Sequence, residues 1–301
     1  NSMICFGTRI PIHKAILPLA GIGTRLFPAT KVLSKAFFPI IDYDGFIKPA
    51  LLVILEELVD AGIEEIALVI QPGQEMEYNR LFEKDTSIQY SDRLPKEKRK
   101  YNEIIREIGK KITYLYQTKQ LGFGHAVYQA KNFAENEPVL LTLGDHLYHS
   151  ESNDSCTRQL LKTYEKTGGM TISLDEVTLE QVKYYGILKG KSTDIEQRTM
   201  NVDAIVEKPT AEYAKKFLGV KDEHGCSHYY CVFGQYVLTP SVFQILDRNI
   251  QTFNGIGEIE LTSVLNEVRE KDGMYAYRVD GKRFDIGIPE EYRKTLLTFG
   301  K

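Results

Sequence analysis

The chain is expected to fold as an α/β protein: a mostly parallel mixed sheet flanked by helices, with antiparallel additions in the second half. Three observations point there. Short apolar runs alternate with helix-like segments through the first half, the pattern of parallel strands joined by helical crossovers. Those runs are too short for buried helices. The second half drops the alternation and strings strand-like segments together, which suits antiparallel pairing.

Lys14 to Leu19 reads as the first buried strand, followed by a glycine-rich turn from Ala20 to Thr24. Ile47 to Gly62 follows helical spacing, with Ile47, Leu51, Ile54, Leu55 and Leu58 on one face and Gly62 as the stop. Ile66 to Ile70, Ile112 to Tyr116 and Val139 to Leu143 are apolar runs of the kind buried in a parallel sheet. Between the last two, Gly124 to Ala134 has helical character. Met170 to Leu174, Tyr184 to Leu188 and Val202 to Val206 are strand-like, with a turn-rich stretch from Lys189 to Asn201. His228 to Leu238 is a longer run rich in aromatics and valine, as strands often are. Pro240 to Leu246 and Glu258 to Glu270 read as helices, Met274 to Val279 as a strand, and Pro289 to Phe299 as a closing helix. No repeat, low-complexity tract or linker breaks the chain, so a single domain over residues 1–301 is expected.

Composition removes several classes. With 43% hydrophobic residues among 301, the chain can bury a large core and is not disordered. A net charge of −3 argues against nonspecific nucleic-acid binding, which needs clustered positive charge. Arg93 to Lys111 carries eight basic residues against three acidic ones, but Tyr101 is its only aromatic. That favours a solvated helical insertion over a base-stacking platform. No apolar run reaches the roughly 18 residues of a spanning helix, so no membrane partner is expected. Cys5, Cys156, Cys226 and Cys231 make no disulfide framework, and the reading is a reduced, cytoplasmic protein.

The sharpest local signal is Ala20-Gly21-Ile22-Gly23-Thr24-Arg25, directly after the first strand. Two glycines let a backbone approach a ligand closely, and N–H groups in such a turn form an anion site. Arg25 adds a forked cation suited to phosphate oxygens, and Lys31 and Lys35 follow. A dinucleotide fingerprint fails because its third glycine position is Leu26, and no Gly-Lys-Ser/Thr ending supplies a Walker loop. His224, Cys226, His228 and Cys231 fit none of the usual zinc spacings, and strand alternation would aim His228 and Cys231 at opposite faces. His146 and His149 flank Asp145 only loosely as a metal set; the carboxylate is the better partner for a hard cation.

The segment from Leu17 to Lys31 resembles the signature of sugar-1-phosphate nucleotidyltransferases. Further motifs follow in that family's order: Gln117 with Leu121-Gly-Phe-Gly-His-Ala-Val127, Leu143-Gly-Asp145, Tyr185-Gly-Ile187, Val206-Glu-Lys-Pro209, Gly257-Glu-Ile-Glu-Leu-Thr262 and Phe284-Asp-Ile-Gly287. The basic insertion sits where the uridylyltransferase branch carries a charged helical insert. There are departures. The second family lysine lies in Ser34-Lys35-Ala36-Phe37-Phe38-Pro39, the stretch Glu223 to His228 replaces a usual motif, and Gln235 stands for an arginine.

The resemblance implies a Rossmann-like nucleotidyltransferase fold, with residues 12–150 as a nucleotide-binding half and 151–301 as a sugar-binding half. It implies that UTP and glucose 1-phosphate give UDP-glucose and pyrophosphate with Mg²⁺ as cofactor, and that the protein is a homo-oligomer. Arg25 would neutralise the β- and γ-phosphates, and Lys35 would contact the nucleotide phosphates. Ala20, Gly21, Gly23 and Thr24 would cradle the nucleotide, while Gln117 and Gly122 would read the uracil edge. Gly186, Glu207, Lys208 and Glu258 would hold the sugar phosphate. Asp145 and Asp285 would hold the metal. Two alternatives stay open: a different nucleotide or sugar 1-phosphate, and a nucleotide-sugar-binding regulatory protein without catalysis.

Overall fold

A computed structural model describes residues 10–83, 94–194, 196 and 198–301; Cys5 and Arg93 lie outside the described residues. In the first half the strands are β1 (Lys14–Pro18), β2 (Pro39–Ile41), β3 (Ile47–Pro49), β4 (Glu65–Ile70), β5 (Ile112–Tyr116), β6 (Val139–Thr142) and β7 (His146–Ser150). The second half supplies β8 (Thr171–Val177), β9 (Gly186–Ser192), β10 (Thr199–Glu207), β11 (Val220–Lys221), β12 (Ser227–Leu238), β13 (Tyr275–Arg278) and β14 (Gly281–Asp285).

The main sheet has the order β5-β4-β1-β6-β12-β8-β13-β10-β9. Its first four strands are parallel, as the apolar runs of the sequence predict. From β6 onward β12 pairs antiparallel with β6 and β8, and β10 with β13 and β9; β8 and β13 are parallel. The expected α/β architecture, a mixed sheet with antiparallel additions, is the one observed. Strand β1 lies between β4 and β6, so the chain order reverses beside it. In open α/β sheets ligands bind beyond the carboxyl ends of strands at such a switch point.

Alternation along β1 divides the core between the two sheet faces. Ala15 and Leu17 pack with Leu51, Leu55, Leu58 and Tyr78 on one face. Ile16 packs with Val127, Leu246 and Val264 on the other. Among the described residues, no helix is long and apolar enough to cross a membrane.

Three expectations need correction. The helix expected from Ile47 begins at Ala50 and runs to Asp60, and residues 47–49 form β3 instead. Lys48 precedes a proline, which disfavours helical backbone there. Its ammonium is buried between Asp42, Asp44 and Glu56 at 2.6, 2.6 and 2.7 Å, leaving Ile47 72% exposed. The turn-rich stretch Lys189 to Asn201 is mostly strand, because β9 continues to Ser192 and β10 starts at Thr199. The helix expected from Glu258 starts at Leu261. Glu258 and Ile259 instead run alongside residues 121–124, with the Ile259 N–H donating to the Leu121 carbonyl (2.7 Å) and the Gly124 N–H to the Ile259 carbonyl (2.8 Å).

That junction depends on Gly122. Its φ of 108° belongs to glycine, and a Cβ there would stand 2.9 Å from the Ile259 carbonyl oxygen. Gly122→Ala is therefore expected to lower unfolding stability by about 2–4 kcal/mol, combining backbone strain with the clash. Urea denaturation measures this as a lower midpoint at unchanged slope. An unmoved midpoint would show that the junction yields freely.

Candidate active site

The loop after β1 is anchored at both ends and open on one face. The Ala20 carbonyl accepts from the Gln71 and Gln120 side-chain amides at 2.7 and 3.3 Å. Gly23 sits at φ 69°, and its carbonyl accepts from the Thr30 hydroxyl at 3.1 Å. A side chain on Gly21 would meet nothing within 4 Å, so the backbone there is accessible. Thr24 and Arg25 are exposed in a single tight turn over Thr24–Leu26.

Beside it, Asp145 follows β6, and Asp285 ends β14. The two are brought together by an antiparallel ribbon in which β14 pairs with β7, placing Asp285 opposite His146. The Ile286 N–H donates to the Asp145 carbonyl at 2.9 Å and closes the ribbon. Each carboxylate has one committed oxygen. Asp145 Oδ2 accepts from Lys35 Nζ at 2.6 Å, and Asp285 Oδ1 accepts from the Gly287 N–H at 2.7 Å. A Cβ on Gly287 would stand 2.7 Å from Asp145 Oδ2 and 3.1 Å from Asp285 Oδ1, so glycine keeps the space between the acids clear.

Burial alone would raise the Asp145 pKa. The charges of Lys35 and His146, the Lys35 hydrogen bond and the charge of Arg25 outweigh it and bring the value to about 2. Burial likewise opposes ionisation of Asp285, but His146 and the Gly287 N–H hold it below the usual range against the charge of Asp145. Both acids are thus ionised at neutral pH. Two hard, ionised oxygen donors around a cleared space fit a divalent cation, which completes its shell with water and substrate phosphate.

The second half builds one wall of a cleft of about 510 Å³. Arg25 lines it together with Gly186, Glu207, Lys208 and Glu258. Gly186 pairs with Glu207 across β9 and β10, and a Cβ on it would stand 3.3 Å from Glu207 Oε2. That oxygen accepts from the Thr262 hydroxyl at 2.8 Å. Lys208 adopts φ 44°, and its N–H donates to the Tyr185 carbonyl at 3.0 Å. This bend ends β10 and leaves the Lys208 side chain largely exposed beside the cleft. Gln117 is buried, and its amide donates to the Gly122 carbonyl at 3.2 Å and lies 3.1 Å from His125 Nδ1. Arg25, Lys35, Asp145 and Asp285 thus form one group, and Gly186, Glu207, Lys208 and Glu258 share the cleft that Arg25 enters. Gln117 and Gly122 lie on the junction that carries Glu258.

The sequence profile described as Nucleotidyl transferase matches residues 14–299. The chain belongs to this family. Nucleotidyl transferases of this kind generally use a divalent metal. A UTP–glucose-1-phosphate uridylyltransferase of Streptococcus pyogenes is 32% identical over 297 residues, covering 96% of this chain and 88% of its own length. The enzyme of that name from Bacillus subtilis (strain 168) is 34% identical, with 96% and 91% covered. A UDP-glucose pyrophosphorylase crystallised with UDP-glucose superposes with a TM-score of 0.77 at 30% identity, covering 95% of this chain and 97% of that one. A UTP-bound relative from Acinetobacter baumannii gives 0.74 at 28% identity, covering 95% and 92%.

Within this nucleotidyl transferase the four His/Cys residues of 224–231 do different things. His224 and Cys226 are exposed on the turn between β11 and β12, whereas Cys231 is buried beneath Arg283. His228 Nδ1 lies 2.6 Å from Glu176 and its Nε2 3.2 Å from Asp222. Hydrogen bonds to Glu176 and Asp222 raise its pKa. Because the folded value lies above the unfolded one, this contribution is complete below the ordinary histidine range and is lost as pH rises through the folded value. The Tm difference between the protein and His228→Gln is therefore expected to be largest near pH 5.5 and to shrink toward pH 9. A difference independent of pH would show that His228 acts through packing alone.

Two residues of the cleft were given no role by the sequence reading, although Thr262 closes one of its motifs. Thr262 fixes Glu207, and Arg283 lines the floor with Nη1 donating to the Val232 carbonyl at 2.8 Å and its guanidinium 4.8 Å from the Tyr185 ring centre. A signal for Arg283 was available, since it stands two residues before Asp285 and so shares its side of a strand.

Proposed function

We propose that the cleft transfers a uridylyl group from UTP to glucose 1-phosphate, giving UDP-glucose and pyrophosphate. The observation that carries this is the entry of Arg25, from the loop after β1, into the cleft walled by Gly186, Glu207, Lys208 and Glu258. One edge of the sheet thereby offers cationic and backbone groups for a triphosphate beside polar groups for a sugar phosphate. Residues 12–150 would serve the nucleotide and residues 151–301 the sugar.

A sugar phosphate oxygen is already a competent nucleophile at neutral pH, so no side chain need take a proton. The attack on the α-phosphorus joins two anions, and positioning with charge neutralisation supplies the acceleration. Mg²⁺ held by Asp145 and Asp285 would neutralise phosphate charge when bound. Arg25 offers a forked cation to the departing pyrophosphate, and Lys35, already drawn to Asp145, can share its ammonium with a nucleotide phosphate. The loop of Ala20, Gly21, Gly23 and Thr24, open at Gly21 and anchored through the Ala20 carbonyl, cradles the triphosphate. Gln117 and Gly122 face the base, Glu207 accepts from sugar hydroxyls, and Lys208 meets the sugar phosphate. Gly186 lets the backbone approach the sugar, and Glu258 closes it from the junction.

The deciding experiment incubates the protein with Mg²⁺, each of four NTPs and a panel of sugar 1-phosphates, and follows pyrophosphate release. Release confined to UTP with glucose 1-phosphate is expected. Release with another pair would move the specificity, and binding without release would make the protein a regulator.

A further inference from the structure

We propose that Arg283 is a positioning residue for the sugar: it ties the ribbon that carries Asp285 to the strands that would meet the hexose, and so sets affinity for the glucosyl group. The inference rests on the reading of that wall of the cleft as the sugar's site.

The wall has a gap that Arg283 bridges. Strands β9 and β12 pair at Ile187 with Cys231 and at Leu188 with Tyr230. Continuing that antiparallel register would set Gly186 opposite Val232, but the pairing stops short, and both residues line the cleft. They remain close, since a Cβ on Gly186 would stand 3.5 Å from Val232 Cγ2. With the ladder ended, side chains must fix the width of the opening. The Val232 carbonyl accepts from Arg283 Nη1 at 2.8 Å, and the same guanidinium lies 4.8 Å from the centre of the Tyr185 ring. One group thus holds both edges of the gap: Val232 on β12, and the residue just before Gly186. Tyr185 passes the hold on, because its carbonyl accepts from the N–H of Lys208 at the bend that ends β10.

The guanidinium is rooted in the other half of the site. Strands β14 and β7 form a two-stranded ribbon separate from the main sheet. Arg283 precedes Asp285 by two residues, so both side chains leave that ribbon on one side. The carboxylate and the sugar wall are therefore held in a fixed relation by one short strand and one side chain.

The chemistry suits a tie. A planar guanidinium can lie against a ring and donate from its edge at once, which an ammonium cannot. Arg283 Nη2 faces Cys231 Sγ at 3.9 Å, and the Phe233 ring centre is 6.0 Å away. Its partners are thus a carbonyl, a thiol and two rings, and no carboxylate among the described residues forms an ion pair with it. Exchange for a neutral side chain accordingly strands no buried partner charge.

Calorimetric titration of the full chain with Mg²⁺ compares UDP-glucose with UDP, which lacks the hexose. The parent is expected to bind UDP-glucose more tightly. In Arg283→Met, UDP-glucose affinity should fall about tenfold while UDP affinity hardly changes. The KM for glucose 1-phosphate should rise by a similar factor, with the KM for UTP unmoved. Arg283→Lys should regain only part of the loss. In a Tyr185→Leu background the Arg283→Met exchange should cost less, because the ring it acts through is gone. An unaltered preference for UDP-glucose in Arg283→Met overturns the inference. So does an equal loss for both ligands, which would put Arg283 on the phosphates or in general stability. A parent that binds UDP-glucose no better than UDP overturns the reading of the wall as a sugar site. Arg283→Lys gives the answer where Arg283→Met does not fold.

Discussion

Asp145→Asn is expected to lower kcat/KM for pyrophosphate release by about 10³-fold, and Asp285→Asn by a similar factor. Each exchange removes one negative charge from a pair that nothing else replaces, and a metal's stabilisation of phosphate charge amounts to several kcal/mol, or roughly a thousandfold in rate. The fold should survive both. Asn matches Asp in size, and the ribbon that carries the two positions is closed by backbone bonds, including the Ile286 N–H on the Asp145 carbonyl. A Tm within a few degrees of the parent, together with lost turnover, is the expected combination. The two variants should differ in one respect. Asp145 also holds the Lys35 ammonium at 2.6 Å, so Asp145→Asn releases a cation into the nucleotide's path, whereas Asp285→Asn leaves Lys35 in place. Excess Mg²⁺ should accordingly restore more activity to Asp285→Asn. Full turnover in either variant would remove that residue from the ion site.

Arg25→Ala should cost about 10²–10³-fold, the usual loss when one preorganised group facing developing charge is deleted. The effect should fall mainly on kcat, because charge on the leaving pyrophosphate grows toward the transition state. Arg25→Lys should recover only part of it, since an ammonium cannot bridge two oxygens in the forked manner of a guanidinium. Steady-state kinetics with UTP varied give the split. A change confined to KM would place Arg25 in simple substrate capture. Because Arg25 is exposed in a tight turn, stability should hardly move.

The parts of the fold readable in the sequence are those where one physical pattern dominates. Ile66 to Ile70 and Val139 to Leu141 are buried on both sides, so their apolar runs announce themselves. The β7–β14 ribbon did not, because His146–Ser150 and Gly281–Asp285 are short and polar. Its consequence, the meeting of Asp145 with Asp285, was expected only through resemblance to a family. Spacing misled at Ile47, where helical periodicity runs on into residues that a proline and a buried lysine hold extended. It misled again at Lys189 to Asn201. There β9 meets β12 only at Ile187 and Leu188, so residues 189–192 pair with β10 on one side alone, where charged side chains are tolerated, and Gly190 allows the close approach of the Asn201 backbone. The cation-rich glycine loop was readable because a phosphate site needs residue types that few other turns combine.

The long strand β12 bonds at its end, Gln235–Leu238, to β6 and along its length to β8 and β9. The first half of the chain therefore borrows a neighbour from the second, and neither half owns a finished sheet. A protease that nicked the bends at Glu151–Asp154 would leave two pieces still zipped together, and pieces made apart should regain activity only when mixed.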